Sequence, residues 1–268
     1  MATKLDSTLF SFNGKRCEDF GIINAQVNAA LFSETYLTTR QVKEEKASFT
    51  NRSYLMGYDY TADDIPLTLV FESNWKTEEN YLAVQAWLSV EGYHPITFDK
   101  FPDVSYLVTY SGSSTLSHNG LSQGYINITF HRDSPFAYGS VVKDSVIIGS
   151  KTIHTGDRDE KPTQQFHEIY LKGTEPCLPV VRITKYGVDG DISVHNRRNN
   201  TKVLLPKLAL GDYFEIDCDL EMVESKSNTV FTIGNLPQMD LRLEIGRNKL
   251  LFTGEALVEI LYQPIYLQ

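Results

Sequence analysis

Hydrophobic and polar positions alternate most regularly near the end of the chain, between Phe214 and Met222. A period of two residues is typical of a β-strand with one face buried and the other solvated. The pattern predicts a core face made of Phe214, Ile216, Cys218, Leu220 and Met222. It assigns the other face to solvent, to a basic cross-strand neighbour or to a protein partner, and that face holds Glu215, Asp217, Asp219 and Glu221.

The first half of the chain carries several shorter strand patterns. Asn13-Gly14 separates Leu9–Phe12 from Lys15–Cys17, and this dipeptide favours a two-residue hairpin turn because both turn positions need positive φ angles. The chain is therefore predicted to start with a β-hairpin. Alternating or continuous apolar runs predict further strands at Ile65–Phe71, Ile96–Phe98, Ser105–Tyr110 and Gly124–His131.

One segment has helical rather than strand periodicity. Lys76–Val90 is predicted to be a helix, with Asn74 or Thr77 as its N-cap. Its apolar stripe consists of Tyr81, Val84 and Leu88. One helix among these strands predicts an α+β unit that ends near Tyr138.

The second half reads as strands throughout. Residues 141–163 show mixed charge, glycines and no clear period, which predicts a linker, with a strand at Ser145–Ile148 as its one candidate element. Turn residues at roughly ten-residue spacing then predict a β-sandwich. Its strands are Gln165–Leu171, Leu178–Thr184, Asp191–His195, Thr201–Leu205, Tyr213–Met222, Thr229–Ile233, Leu241–Ile245 and Ala256–Tyr262. The predicted fold class is mainly β, with an N-terminal domain at 1–140 and a C-terminal domain at 164–268.

Composition narrows the functional classes. The chain has 268 residues, of which 41% are hydrophobic and 12% aromatic, and its net charge of −9 disfavours nucleic acid as a direct ligand. Three cysteines without a CxxC motif, Cys17, Cys177 and Cys218, predict reduced thiols made in a cytoplasm. The N-terminus lacks a signal-peptide pattern and no apolar run nears ~20 residues, so neither Sec export nor membrane insertion is expected.

Residue types that carry catalysis or bind metals are scattered. The six histidines, His94, His118, His131, His154, His167 and His195, lack the spacing of metal ligands. No G-x-S-x-G motif occurs, and His131–Ser134 is favoured as a polar strand exit. Asp189 and Asp191 offer oxygen ligands to calcium but lack the further carboxylates of an EF-hand loop. We therefore predict no catalytic, cofactor-binding or metal-binding residues.

The acidic face of the 214–222 strand leaves a catalytic interpretation open. Glycosidases use two carboxylates about 5–9.5 Å apart, and next-nearest residues of a strand lie roughly 6.5–7 Å apart. The neighbouring aromatic residues, Tyr213 and Phe214, do not line that face as a set. A solvated or partner-facing strand is the favoured interpretation.

Short motifs follow one another in a fixed order along both halves of the chain. The N-terminal pieces are Phe12–Lys15, Asp19–Ile22, Arg52–Tyr58, Ala86–Leu88, "DKFPDVSYLVTY" from Asp99 and "INITFHRDSPFAY" from Ile126. The C-terminal pieces are "FHEIYLKGTEPCLPVVRI" from Phe166, "FEIDC" from Phe214 and Ile245–Asn248. In this order the motifs resemble the distal tail proteins (Dit) of long-tailed phages. Two positions differ from the family pattern, since Ser53 rather than glycine follows Arg52, and "LEIGRN" replaces a proline-glycine-asparagine sequence.

This resemblance implies a structural hub of a tail tip or baseplate, and no enzyme. It implies a ring-forming N-terminal domain, a hexameric and possibly stacked ring that continues the tail tube, and a galectin-like C-terminal sandwich without an inserted carbohydrate-binding module. The implied partners are other copies of the chain, the tail tube protein, the tail-tip protein, and receptor-binding or other baseplate proteins. It further implies no cofactor, no specific nucleic acid binding, passage of DNA through the ring, and a place in the virion after synthesis in the host cytoplasm.

Two other functions stay open on the sequence alone. A carbohydrate-binding module would want an exposed tryptophan on its sandwich, yet Trp75 and Trp87 both lie in the N-terminal half. A wall-polymer hydrolase rests only on the acidic strand. For ring assembly, the first hairpin and the segment Glu34–Arg52 are the candidate contacts between subunits, because Gln41–Ser48 is too polar for a core strand.

Overall fold

The computed structural model describes residues 7–25, 38–71, 77–119, 124–149, 151–154, 157–160, 164–226, 231 and 236–268. The chain divides into two units. The first is formed by Met1–Gly139 with Leu267–Gln268, and the second by Ser140–Tyr266. The mainly β fold class predicted from the sequence is confirmed. Within the described residues no helix is long and apolar enough to cross a membrane.

The first unit is built on one antiparallel sheet and a separate two-stranded ribbon. The sheet order is β2-β1-β7-β8-β9-β6-β3, and the ribbon pairs β4 with β5. The elements are β1 Phe10–Phe12, β2 Lys15–Arg16, β3 Ile22–Asn24, β4 Thr39–Lys46, β5 Ser53–Thr61, β6 Ile65–Phe71, α1 Glu78–Leu88, β7 His94–Phe98, β8 Phe101–His118, β9 Gly124–Arg132 and β10 Phe136–Gly139.

The Asn13-Gly14 turn joins β1 to β2 as the sequence predicts. Asn13 and Gly14 have φ angles of 49° and 73°, and Phe12 pairs with Lys15 across the turn. β6 also has the predicted bounds, and its alternate residues Ile65, Leu67, Leu69 and Phe71 are buried. Local signals, a turn dipeptide and an unbroken alternation, were sufficient for both elements.

Helix α1 is slightly shorter than predicted and covers one face of the sheet. Its N-cap is Thr77, whose hydroxyl accepts a hydrogen bond from the Asn80 backbone N–H. Trp87 is buried, stacks on Phe20 and donates its indole N–H to the Phe12 carbonyl at 2.9 Å. Val84 and Leu88 are buried as predicted, whereas Tyr81 is exposed. Asn74 and Trp75 lie outside the described residues.

The second unit is a sandwich of two five-stranded sheets, ordered β11-β22-β15-β18-β19 and β14-β21-β16-β17-β20, beside a two-stranded ribbon of β12 and β13. Buried residues from both sheets, among them Val181, Val203, Phe214 and Phe252, form one core. The strands are β11 Val142–Ile148, β12 Lys151–His154, β13 Asp157–Glu160, β14 Gln164–Leu171, β15 Val180–Lys185, β16 Gly190–Asn196, β17 Thr201–Leu208, β18 Tyr213–Asp217, β19 Met222–Ser225, β20 Gln238–Asp240, β21 Gly246–Thr253 and β22 Ala256–Tyr262. A last strand, β23 Ile265–Leu267, lies outside these sheets.

Residues 141–163, predicted as a linker, contain β11, β12 and β13, and the candidate strand at Ser145–Ile148 is present as the second part of β11. Seven consecutive residues form β11 and pair with β22, from Val142–Tyr262 to Ile148–Ala256. Val146 and Ile148 supply the burial that holds this strand in the sandwich. The charged residues Lys143 and Asp144 obscured the pattern, because β11 lies at a sheet edge where they pair with Glu259 and His167.

The strand predicted from Tyr213 to Met222 is instead a hairpin. β18 ends at Asp217, whose side chain accepts hydrogen bonds from the backbone N–H groups of Asp219 and Leu220 at 2.9 and 3.0 Å. An aspartate that caps its own turn in this way competes with strand continuation. Phe214, Ile216 and Cys218 are in the core as predicted, but Leu220 and Met222 are 65% and 53% exposed, so their predicted burial is wrong.

Of the last predicted strands, Ala256–Tyr262 is confirmed as β22 with the same bounds, whereas Leu241–Ile245 is not a strand. Leu241–Ile245 contributes only an isolated bridge, between Leu243 and Cys177, and the strands lie on either side of it as β20 and β21. A strand at Gly246–Thr253 was not predicted, because Arg247, Asn248 and Lys249 break the apolar alternation at its start. Thr229–Ile233 lies outside the described residues except for Phe231, which packs on Phe214.

Candidate assembly surface

The β4–β5 ribbon, called the arm below, is the most exposed ordered element of the first unit. Every described residue of its two strands is exposed except the half-buried Gly57. Eight register pairs join the strands, from Thr39–Thr61 to Lys46–Ser53, with a bulge at Met56 between the Lys43–Gly57 and Glu44–Leu55 pairs. Each strand is roughly 30 Å long at about 3.4 Å per residue. The arm is an ordered ribbon whose two faces both lack a covering layer among the described residues.

The two faces of the arm differ in chemistry. Directly paired residues share a face, so Arg40–Tyr60, Val42–Tyr58 and Glu44–Leu55 line one side of the ribbon. On this side the Arg40 guanidinium lies over the Tyr58 ring at 4.8 Å, and the Tyr58 and Tyr60 rings are 6.3 Å apart. We call it the apolar face of the arm. Its residues Val42 and Tyr58 are 52% and 40% exposed.

The opposite face of the arm is mainly polar. It carries Gln41, Lys43 and Glu45 from β4 together with Tyr54, which pairs with Glu45, and Lys43 Nζ contacts the Asp59 carboxylate at 2.5 Å. A ribbon with one mainly apolar face and one mainly polar face has the pattern of a half-buried strand pair. An isolated two-stranded hairpin is at best marginally stable in water, so such a face is normally covered by another layer.

The acidic residues predicted on one face of the 214–222 strand make structural contacts. Arg182 makes two hydrogen bonds to Glu215, from Nε to Oε2 at 3.0 Å and from Nη2 to Oε1 at 3.2 Å. These bonds lower the pKa of the Glu215 carboxyl, which is the opposite of what a general acid requires. This is the basic cross-strand neighbour that the sequence pattern allowed. Asp217 caps a turn, and Asp219 and Glu221 lie within that turn.

The other candidate residues for catalysis or metal binding also have structural partners. His131 Nδ1 lies 2.8 Å from Asp64, whereas the Ser134 hydroxyl contacts Asp133 and Tyr138, so this histidine and serine are not paired with each other. Asp189 and Asp191 accept hydrogen bonds from the backbone N–H groups of Leu210 and Lys207. In the part of the chain that the structure describes, no three His, Cys, Asp or Glu side chains are grouped as metal ligands.

The three cysteines are buried free thiols. Burial raises the pKa of Cys177 to about 11 and that of Cys218 to about 12, and it raises the pKa of Cys17 as well. A thiol that stays protonated and inaccessible is a poor nucleophile. Their environment is that of core side chains.

A hydrogen-bond network around Asn248, not predicted from the sequence, lies at one end of the sandwich. Asn248 is fully buried, and its side chain bonds to the backbone N–H and carbonyl of Glu244, to the Gly246 carbonyl and to Asn196. Arg198 adds hydrogen bonds to the carbonyls of Ile245 and Arg247. The "LEIGRN" sequence is the signal for this network, since Gly246 adopts a φ of 85° that lets the chain turn around Asn248.

Comparisons with known proteins agree with this architecture. Residues 5–134 match a family model described as the N-terminal domain of phage tail proteins. The chain is 23% identical over 269 residues to the SPbeta prophage-derived uncharacterized protein YomH of Bacillus subtilis (strain 168). The aligned region covers 98% of this chain and 99% of that relative. The crystal structure of the Dit protein of phage SPP1 matches with a TM-score of 0.66 at 12% identity, covering 97% of this chain and 99% of that one. The YomH match establishes sequence similarity over nearly the whole chain. The match to the SPP1 Dit structure establishes a shared fold.

Proposed function

We propose that this chain, a Dit-like phage tail protein, is a structural hub of the tail tip or baseplate that assembles into a hexameric ring. The ring joins the tail tube to the tail-tip and host-adsorption proteins and lets DNA pass. The matched SPP1 protein is described as a paradigm of the hub adsorption apparatus in phages that infect Gram-positive bacteria. Similarity to a phage tail protein domain over residues 5–134 supports the same kind of role here.

The arm is the observation that carries the ring assignment. Its apolar face exposes Val42, Leu55, Tyr58 and Tyr60 while its other face is mainly polar. An aromatic, arginine-bearing surface of this kind has the composition of a protein interface core. Contact between the arm of one subunit and a different surface of the next is head-to-tail, and head-to-tail contacts close into rings when the rotation between subunits fits.

The charge of the chain suits a DNA conduit. With a net charge of −9, the subunits of a ring repel phosphates rather than hold them. DNA then moves through the ring without being retained by its wall. A reversal of charge at the inner wall would slow DNA ejection.

The proposed role is structural and includes no catalytic step. Glu215 is fixed by Arg182, and Asp217 caps a turn, so these carboxylates serve folding. The partners proposed are the tail tube protein on one side, the tail-tip protein on the other, and receptor-binding or other baseplate proteins around the sandwich. The proposed location is the virion tail tip.

Carbohydrate binding is the second candidate, and one observation favours it. Phe166 and Tyr170 lie on the outward side of β14 and are both well exposed, with Lys249 Nζ 4.4 Å from the Phe166 ring centre. Exposed aromatic rings beside charged groups can stack on sugar rings. The double substitution Phe166→Ala with Tyr170→Ala tests this, because it removes glycan-array binding under this alternative and leaves ring assembly unchanged under ours.

Native mass spectrometry and negative-stain images of the purified full chain test the proposal. We expect six-subunit rings with a central opening. A strict monomer that binds glycans would overturn the hub assignment. Rings that hydrolyse wall polymers would overturn its non-enzymatic part.

A further inference from the structure

An open groove lies beside helix α1 in the first unit. Its volume is about 410 Å³. One wall is the helix face, and the floor is the end of the β8–β9 ribbon. The apolar lining residues are Tyr81, Val84, Leu88, Leu116, Ile126 and Ile128. Polar and apolar groups share the exposed lining of the groove about equally, and the polar ones include Gln85 and Ser89 on the helix side and Ser114 on β8.

The groove exists because the β8–β9 ribbon is longer than the helix that covers it. Ile128 is buried, but Ile126 and Leu116 farther along the ribbon are only partly buried. The register also shifts between Ser111 and Thr115, where Gly112 has a φ of 89° and three residues of β8 bulge from the ladder. The sheet therefore presents apolar side chains with no covering layer among the described residues.

We propose that the apolar face of the arm of one copy docks into this groove of the next copy. The inference rests on the proposed ring and names the surface that receives the arm. Two partly apolar surfaces without a covering layer among the described residues occur on one unit, the arm on β4–β5 and the groove on α1, β8 and β9. Because they are different surfaces, their pairing is head-to-tail and generates a ring rather than a closed dimer.

The dimensions of the two surfaces agree. From Leu55 to Tyr60 the arm extends roughly 17 Å at about 3.4 Å per residue. Helix α1 has 11 residues and is therefore roughly 16 Å long at about 1.5 Å per residue. The arm of a neighbouring copy, lying along α1, would cover the groove over its whole length.

Charge favours a second copy as the occupant. The arm, residues 39–61, holds four basic and three acidic residues, whereas the rest of the first 140 residues holds six basic and thirteen acidic ones. The first turn of α1 contributes the exposed Glu78 and Glu79. A slightly basic arm on an acidic unit is attracted to another copy of that unit and steers the encounter.

A matched pair of helix substitutions tests the docking. Gln85 lines the groove and is exposed, and the neighbouring exposed Ala86 does not line it. Gln85→Lys places a charge and extra bulk in the groove against the basic arm, and Ala86→Lys adds the same charge outside it. We expect the ring fraction in native mass spectra to fall at least tenfold for Gln85→Lys and to stay within twofold of wild type for Ala86→Lys.

Disulfide trapping provides an independent readout. The native thiols are buried, so engineered cysteines react alone. The double variant Tyr58→Cys with Gln85→Cys should give, on oxidation, a ladder of cross-linked species up to the complete ring. Each single variant should give dimers at most, because one cysteine per chain cannot extend a head-to-tail series.

The outcomes separate this inference from the proposed function. Wild-type rings that persist in Gln85→Lys, with no ladder in the double-cysteine variant, would overturn the docking site and leave the ring assignment standing. A wild-type chain that stays monomeric at all concentrations would overturn the ring assignment itself. Loss of rings in both lysine variants would also count against the groove, because the effect would not depend on position.

Discussion

Two hairpins of nearly equal length, the arm β4–β5 and the sandwich hairpin β16–β17, have opposite surroundings. In the sandwich hairpin Val194 and Val203 are fully buried in the core of the second unit. In the arm the corresponding apolar side chains, Val42 and Tyr58, remain exposed. One hairpin is stabilised by its own chain, and the other carries an apolar face that no described residue covers. An exposed amphipathic ribbon of this kind is a candidate assembly surface.

The largest expected effect comes from one substitution made in both hairpins. Val203→Asp puts an unpaired carboxylate in a closed core and should cost about 4 kcal/mol or more of unfolding free energy. Val42→Asp changes an exposed position and should cost less than about 0.5 kcal/mol in the monomer. Urea denaturation followed by circular dichroism measures both. Equal losses for the two variants would contradict the distinction.

The polar network at the end of the sandwich should give the next largest effect. Asn248→Ala leaves the groups around it without four hydrogen bonds and should destabilise the chain by about 2–3 kcal/mol. Asn51→Ala at the exposed tip of the arm is the matched control and should have no measurable effect. Thermal unfolding of the two variants measures the difference. A neutral Asn248→Ala would show that the network does not hold the sandwich end.

The smallest expected effect depends on pH. The pKa of Glu215 is lowered in the folded chain by Arg182, so the pair stabilises the fold above the ordinary carboxyl pKa and loses this contribution as pH falls through the folded value. Glu215→Gln should therefore cost at most about 1 kcal/mol at pH 7, with the difference from wild type disappearing in acid. Urea titrations at several pH values measure it, and Glu44→Gln in the arm is the control. A difference that grows toward acid would reverse the assigned sign.

Local signals in the sequence were enough for elements that depend on neighbouring residues. The Asn13-Gly14 turn and the alternation of Ile65–Phe71 each specify their structure over fewer than ten residues, and the structure has both. The strand predicted from the alternation of Phe214–Met222 ends halfway, because the Asp217 side chain accepts hydrogen bonds from two backbone N–H groups and the chain turns there. Period-two patterns cannot distinguish a long strand from a tight hairpin when the turn residues are themselves polar and apolar in alternation.

Strands were predicted incompletely where polar residues or a bulge interrupt the alternation. The sequence predicts β11 only over Ser145–Ile148, because Lys143 and Asp144 have partners, Glu259 and His167, that are distant in sequence. In the arm, Gln41–Ser48 is a candidate contact on the sequence, but the partner strand β5 is not predicted, because the bulge at Met56 interrupts the alternation. Pairing of the two strands is what creates an apolar face, and that property depends on register rather than on either strand alone.

The central claim is that the apolar face of the arm is covered by another subunit in a ring. Its most direct test compares the wild type with the double variant Val42→Asp and Tyr58→Asp by native mass spectrometry at the same concentration. We expect six-subunit rings for the wild type and folded monomers, with the circular dichroism of a β protein, for the variant. Rings of equal abundance in both proteins would contradict it.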